Sequence, residues 1–141
     1  MTAYESDNIF TKIIAKEIPS ETVYEDDAYI AIMDIMPQSR GHCLVIPKAG
    51  SRNILDASDE VLQTALPVVS RLAKAVKTAF NADGIRVAQF NEAPAGQTVF
   101  HLHFHVIPVY GDNNLKDHAS EKTNASDLSK NAEAIRAALS R

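Results

Sequence analysis

The sequence predicts an α+β domain in which two main helices and a further C-terminal helix accompany a five-stranded antiparallel sheet. Three observations support this class. The chain has 141 residues, which suits one domain, and its 45% apolar and 23% charged residues are ordinary for a globular protein. Five short apolar runs are separated by turn residues, as expected for strands. One long segment instead repeats its apolar residues at helical spacing.

The first predicted element is a short helix within residues 7–19. Ile9 and Ile13, with a neighbouring apolar residue, recur at helical spacing, and Asp7 is the candidate N-cap. Pro19 should close this helix, because the residue before a proline is driven out of the helical region.

Three predicted strands follow the first helix. Residues 21–26 and 28–35 form two of them, with an acidic turn where they meet. The third strand covers residues 42–47 and ends at Pro47, and residues 36–41 form the loop that leads into it.

A long amphipathic helix is predicted from Asp56 or Ser58 to about Phe80, because the apolar residues there form one stripe. Pro67 lies inside this segment and should kink or locally open the helix. Gly84 is predicted to follow the end of the helix with a positive φ angle.

The last two predicted strands are residues 85–91 and 99–107, and a loop rich in glycine and proline joins them. The chain is thereby divided into a domain over residues 1–110, a polar linker over 111–125 that resembles a loop or mobile arm, and a C-terminal amphipathic helix over 126–141. Ser126 is the candidate N-cap of this helix. Its apolar stripe consists of Leu128, Ala132, Ile135 and Leu139.

Charge, cysteine content and hydropathy exclude several classes of protein. A net charge of -4 offers no basic footprint for nucleic acid. Cys43 is the only cysteine, so neither an internal disulfide nor a cysteine cluster for zinc can form. The first residues lack the pattern of a secretory signal, and no apolar run approaches the roughly 20 residues of a membrane helix. We therefore expect a cytoplasmic protein with neither a nucleic-acid nor a membrane partner.

Three of the five histidines fall within five consecutive positions, in the segment HLHFHVI. Side chains of a strand point alternately to opposite faces, so His101, His103 and His105 should share one face. Such a row has three interpretations. Each ring could bond a neighbouring backbone group, two rings could share one metal ion, or one ring could act as a nucleophile on phosphorus.

The nucleophile hypothesis uses all three rings. A neutral imidazole, with an unperturbed pKa of about 6.5, carries a free lone pair near neutral pH, and its neighbours can donate hydrogen bonds to phosphoryl oxygens. The preceding loop adds Gly96, which permits a close backbone approach, and the polar side chains of Gln97 and Thr98. A metal site is harder to build, because three residues along one strand span about 13 Å at ~3.3 Å per residue.

The segment HLHFHVI resembles the signature of the histidine triad (HIT) family of nucleotide hydrolases and transferases. Residues 8–27, 31–48 and 89–108 are similar to the nucleotide-binding branch of that family, often called Hint. The resemblance covers residues 8–108. It implies a HIT-like fold, a purine nucleotide as substrate, and a homodimer in which two subunits join their sheets and helices.

The resemblance also implies roles for individual residues. His103 matches the nucleophile, which forms a covalent nucleotidyl-histidine and then yields the nucleotide to water. His105 and His42 match residues that contact the α-phosphate, and His101 matches the position that orients the nucleophile. The other matches are Asp34 for the ribose hydroxyls, Asn91, Gln97 and Thr98 around the phosphate and leaving group, and Ile9, Phe10, Ile13, Ile18 and Ile35 for an apolar slot that takes the base.

The chain departs from the family pattern at two places. Asn8, Thr11 and Gly50 stand where many bacterial relatives carry zinc ligands, so we expect no structural zinc, no other bound metal and no cofactor. The segment PVYGDNN after the triad also differs from the usual continuation, which leaves the leaving-group side undefined.

The predicted function is hydrolysis at the α-phosphate of nucleoside monophosphate derivatives, of the purine nucleoside phosphoramidase type, with Thr98 or a protonated histidine assisting the leaving group. Three alternatives stay open: a dinucleoside polyphosphate hydrolase, a nucleotide-binding regulatory protein with incidental catalysis, and a metalloenzyme. A uridylyltransferase-like activity is disfavoured, because that branch carries proline where Leu102 and Phe104 stand.

Overall fold

A computed structural model describes residues 3–111, 115–118 and 121–140, and within them five strands form one antiparallel sheet in the order β1-β2-β3-β5-β4. This confirms the predicted α+β class. The strands are β1 (Thr22–Glu25), β2 (Tyr29–Met33), β3 (Cys43–Pro47), β4 (Gly84–Ala88) and β5 (Phe104–Val109). The helices are α1 (Ile9–Ile14), α2 (Asp59–Phe80) and α3 (Ala125–Leu139), and a short 3-10 turn covers Ala93–Ala95.

The two faces of the sheet carry different helices because alternate strand residues point to opposite sides. On one face, Ala31 and Val45 belong to the main core under α2 and α3. On the other, Ile30 and Ile46 form a second apolar cluster that α1 covers with Phe10. His105 is paired with Leu44 of β3. Since directly opposed strand residues share a face, His105 lies on the α1 side of the sheet.

Two helix starts differ from prediction by one or two residues. Asn8, not Asp7, caps α1, since its side chain accepts hydrogen bonds from two backbone N–H groups while Thr11 completes a capping box. Asn124, not Ser126, caps α3 through a bond from the N–H of Asp127. In both cases neighbouring residues have similar capping propensity, and the tertiary path of the chain selects between them. The helix α2 begins after Ser58, as one of the two predicted alternatives.

The end and the middle of α2 also differ from prediction. Asn81, with φ of 50°, takes the left-handed conformation that was predicted for Gly84, and Gly84 instead begins β4. Pro67 does not interrupt the helix. Both Pro67 and Gln63, whose carbonyl loses its usual partner, lie on the exposed side of α2, where water can replace the missing hydrogen bond.

The strand that carries the histidine motif is shorter than predicted. β5 begins at Phe104, so that only His105 of the three triad histidines lies within it. The physical reason is Pro47, the last residue of the neighbouring strand, which has no N–H for the ladder. His101 lies before the strand and donates from its Nε2 to the carbonyl of Pro47 at 2.7 Å.

The alternation of the motif nevertheless persists beyond the ladder. Leu102 is fully buried and belongs with Phe104 to the main core. The N–H of Leu102 donates to the carbonyl of Ser51 at 2.9 Å, which holds the segment in place without strand pairing. His103 and His105 lie on the opposite side, with ring centroids 5.1 Å apart.

The segment after Tyr110 is attached to the domain where the structure describes it. The N–H of Lys116 donates to the carbonyl of Gln38, and the N–H of Thr123 donates to the carbonyl of Ile35, both at 2.9 Å. Residues 1, 2, 112–114, 119, 120 and 141, which belong to the predicted three-part division, lie outside the described residues, and that division stays a prediction. Among the described helices, none is both long enough and apolar enough to cross a bilayer.

Candidate active site

A cavity of about 170 Å³ opens on the α1 side of the sheet and gathers most of the predicted site residues. Its polar wall holds Asp34, Thr98, His103 and His105. Its apolar wall comes from α1, the loop after it and the end of β2. The predicted members of the apolar wall are Ile9, Phe10, Ile13, Ile18 and Ile35. The spacing of apolar residues on α1 therefore builds both a cover for the sheet and one side of a ligand cavity.

Hydrogen bonds determine which nitrogen of His103 is free. The carbonyl of His101 lies 2.7 Å from Nδ1 of His103 and can only accept, so Nδ1 carries the proton. In the neutral ring Nε2 then has an unprotonated lone pair. Phe10 lies edge-on to this ring, with centroids 4.9 Å apart, and restricts its rotation.

His101 is held behind the cavity by two bonds. Its Nε2 donates to the carbonyl of Pro47, so its Nδ1 accepts from the hydroxyl of Tyr4 at 2.9 Å. Tyr4 also fills the space beside Gly50, where a Cβ would lie 2.5 Å from the tyrosine ring. Asn8 donates to the Tyr4 hydroxyl at 3.3 Å. Tyr4 thus contacts both Asn8 and Gly50, two of the positions on which the expected absence of structural zinc rests. That absence stays a prediction.

His42 and His105 form a second pair with a defined proton pattern. The backbone N–H of Gln38 donates to Nδ1 of His42 at 3.0 Å, so Nε2 of the neutral His42 carries the proton. That Nε2 lies 2.9 Å from Nδ1 of His105 and donates to it. The proton of the neutral His105 is therefore on Nε2, which is buried and has no hydrogen-bond partner among the described residues.

Asp34 lies beside this pair on the cavity wall. Its Oδ1 accepts from the N–H of Met36 at 2.8 Å, and its Oδ2 lies 3.4 Å from Nε2 of His42. Only 13% of the Asp34 side chain is exposed, and Asp34 is one of the residues that line the cavity. The carboxylate is thus fixed in orientation while keeping acceptor capacity for a ligand hydroxyl.

Burial keeps the four clustered imidazoles neutral at pH 7. Removal from water lowers the pKa of His101 and of His103, in both cases against an opposing hydrogen bond to a backbone carbonyl. Burial lowers the pKa of His42 to about 4, although the negative charge of Asp34 opposes this shift. Burial, followed by repulsion from His103, lowers the pKa of His105 further still. The lone pair on His103 is consequently available at neutral pH.

Four predicted site residues do not line the cavity: His42 and His101, which are both fully buried, and Gln97 and Asn91. Gln97 is buried and uses its side chain to bind the loop, accepting from Asn53 and from the N–H of Glu92 and donating to the carbonyl of Arg52. Asn91 accepts from the N–H of Ile54 and exchanges bonds with a neighbouring glutamine. Both side chains brace the loop that carries Thr98, and a direct role toward substrate stays a prediction for each.

Sequence reasoning missed one histidine of the cavity. His118 comes from the polar segment after β5 and lies edge-on to His105, with ring centroids 5.1 Å apart. The signal in the sequence was its residue type. The chain has only five histidines, and all five belong to one cluster in the folded structure. The composition of the polar segment hid it.

One group in the described ranges could hold a metal ion. Asp34, His42 and His105 each place one ligand-type atom within 4.8 Å of the others. In the hydrogen-bond pattern above, however, Nε2 of His42 carries a proton shared between its two neighbours. A metal would have to displace that proton and both contacts, so the residues fit a hydrogen-bonded arrangement better than a ligand set.

Comparison with known proteins gives consistent matches. The sequence family described as the HIT domain matches this chain over residues 15–112. A solved Hit-like protein involved in cell-cycle regulation from Bartonella henselae superposes with a TM-score of 0.90 at 57% identity, covering 96% of this chain and 99% of that one. Protein hit of Bacillus subtilis is 43% identical over 103 residues, which are 73% of this chain and 71% of the relative. Adenosine 5'-monophosphoramidase HNT1 of Saccharomyces cerevisiae is 45% identical over 100 residues, 71% of this chain and 61% of that protein.

Proposed function

The chain belongs to the HIT domain family, and from this premise we propose that it is a nucleotide hydrolase of the purine nucleoside phosphoramidase type. One observation carries the proposal. The lone pair on Nε2 of His103 and the unpartnered N–H of His105 belong to neighbouring rings on one cavity. A nucleophile and a hydrogen-bond donor for a phosphoryl oxygen are what such hydrolysis requires. The name of the yeast relative supports a phosphoramidate as the substrate.

In the first step Nε2 of His103 attacks the α-phosphorus, and the bond from phosphorus to the leaving amine breaks. The ring becomes a cation, because Nε2 is now bonded to phosphorus and Nδ1 keeps its proton. The carbonyl of His101, 2.7 Å from Nδ1, then accepts a charge-assisted hydrogen bond from that cation. His101 therefore acts through its backbone oxygen, while its side chain holds that backbone against Pro47.

The N–H of His105 supports the same step by donating to a phosphoryl oxygen as charge redistributes. The contact from His42 to Nδ1 of His105 keeps this proton on the cavity side. The pKa is lowered for each of the four buried histidines, which are His42, His101, His103 and His105. None of these four therefore supplies a proton at neutral pH. Thr98 and a protonated histidine are the two groups predicted to assist the leaving group, and the lowered pKa values favour Thr98. Thr98 is exposed on the cavity wall and lies beside the departing amine, while water is the final source of the proton.

In the second step water attacks the phosphorus of the nucleotidyl-histidine. The bond to His103 breaks, its lone pair returns, and the released proton balances the one taken by the amine. The products are a nucleoside monophosphate and an amine. The fixed carboxylate of Asp34 is placed to accept from the ribose hydroxyls, and the apolar wall beside Phe10 and Ile18 takes the base.

The decisive test compares two substrate classes. Adenosine 5'-phosphoramidate should be hydrolysed with a kcat/KM about 100-fold or more above that of diadenosine polyphosphates, because the cavity offers a single apolar wall for a base. A chelator should leave both rates unchanged. Preference for the dinucleotide would place the protein with the polyphosphate hydrolases, and loss of turnover with chelator would favour the metalloenzyme. Nucleotide binding without turnover would favour the regulatory alternative.

A homodimer is part of the proposal, and β4 offers a surface for it. This strand lies at the open edge of the sheet, and Val87 within it is 48% exposed. An open edge presents unpaired backbone groups that a second copy can pair with.

Light scattering after gel filtration should therefore give twice the mass of one chain. Val87→Lys should shift the protein to the mass of one chain, because a charged side chain on an edge strand opposes strand pairing. Val87→Thr, which keeps the branched side chain, is the matched control and should remain dimeric. A wild-type monomer, or a lysine variant that still dimerises, would contradict this interface.

A further inference from the structure

The segment after β5 brings a fifth imidazole to the cavity. The ring of His118 lies edge-on to His105, with an angle of 80° between the rings, and its centroid is 5.7 Å from that of Phe90. His118 lines the same cavity as His103 and His105.

Two hydrogen bonds to Lys116 fix the segment that carries His118. Gln38 and Lys116 form a reciprocal pair, in which the N–H of Lys116 donates to the Gln38 carbonyl and Nε2 of Gln38 donates to the Lys116 carbonyl, both at 2.9 Å. The N–H of Gln38 is also the donor that sets the proton pattern of His42. One residue therefore connects the returning segment to the pair formed by His42 and His105.

Two buried nitrogens in this region lack partners. Nδ1 of His118 and Nε2 of His105 each have no hydrogen-bond partner among the described residues. Buried polar atoms in folded proteins are nearly always satisfied, so two such atoms on neighbouring rings at one cavity call for a ligand. The N–H of His105 is a donor and needs an acceptor. A ligand that also contacts Nδ1 of His118 must therefore carry oxygens that together accept more than one hydrogen bond. A phosphoryl group has three such oxygens.

We propose that His118 is a phosphate-contacting residue of the nucleotide site, donating from Nδ1 to a phosphoryl oxygen of the bound nucleoside monophosphate beside Nε2 of His105. The inference rests on the proposed function, because it takes the ligand to be a nucleotide. It adds a binding group that the histidine motif does not contain. It also gives the polar segment a role, since this segment delivers His118 to the phosphate.

The test measures the Kd of adenosine 5'-monophosphate and of adenosine by calorimetry with the full chain. His118→Phe keeps a ring against His105 and Phe90 but removes both nitrogens. This variant should bind the monophosphate about tenfold more weakly, the usual effect of losing one hydrogen bond to a charged group. Its affinity for adenosine should be unchanged. His118→Asn retains an amide nitrogen close to the position of Nδ1 and should recover most of the affinity.

Asp117→Asn, at the exposed neighbouring position, is the matched control and should bind both ligands like wild type. Equal weakening for adenosine and for the monophosphate would assign His118 to packing and overturn the inference, as would unchanged binding of the monophosphate. If the wild-type protein binds the monophosphate but His118→Phe does so equally well, only this inference fails. If the wild-type protein binds no nucleotide, the proposed function itself fails.

Discussion

Replacing His103 with alanine should lower kcat for adenosine 5'-phosphoramidate by about 10⁴-fold, because the covalent step loses its nucleophile. The other two triad histidines cannot substitute. The lone pair of His101 faces Tyr4 and that of His105 faces His42, so of the three triad histidines only His103 presents an unprotonated nitrogen to the cavity. Initial rates at saturating substrate measure the loss.

The covalent step can be observed directly in the wild-type protein. Quenching a reaction in alkaline denaturant should preserve an adenylyl group on the peptide that contains His103, and brief acid treatment should release it, since a phosphorus–nitrogen bond of this kind is acid-labile. The alanine variant should show no adduct, and Lys130→Ala, at an exposed position of α3, should show the normal amount. Undiminished turnover by the His103→Ala variant would contradict the proposed function.

The free energy of unfolding should fall by about 5 kcal/mol between pH 7 and pH 4.5. The folded protein holds the pKa of His42 at about 4 and that of His105 lower still, whereas both are about 6.5 in the unfolded chain. Between these values the unfolded chain binds more protons, so stability is complete above pH 6.5 and is lost as the pH falls. Each of the two imidazoles contributes up to about 2.7 kcal/mol over the 2 pH units below 6.5.

Urea unfolding at several pH values with a constant m-value measures this loss. The range should stop at pH 4.5, because acidic groups such as Glu25 and Asp26 have lowered pKa values in the folded protein and destabilise it only at lower pH. His42→Gln removes one titrating ring and should reduce the slope of stability against pH. A free energy of unfolding that is equal at pH 7 and pH 5 would show that these rings are not buried in their neutral form.

The helices and strands followed closely from local patterns. Short apolar runs between turn residues located β2 and β3, and the apolar stripe located α2, because both signals lie within one element and its immediate burial. Ends of elements were less predictable. Asn8 in place of Asp7, and Asn81 in place of Gly84, show that several residues near a helix end can supply the same cap or left-handed turn. The chain's path through the rest of the fold then selects one.

The candidate site divides in the same way. The residues at its centre were recognisable because alternation alone places His103 and His105 on the face opposite Leu102, whether or not the backbone is paired there. The sequence did not reveal that His101 bonds Pro47 in place of the strand ladder.

The identity of the reactive nitrogen depended on tertiary contacts. Each proton position follows from a backbone carbonyl, a backbone N–H or another ring brought close by folding, such as the N–H of Gln38 on His42. Residues distant in sequence supply these partners, as His42 and His105 do across 63 positions. A local pattern specifies which side chains share a face, whereas hydrogen-bond geometry between separated segments specifies which of their atoms can react. His118 joins the cluster for the same reason, through a return of the chain that only packing could decide.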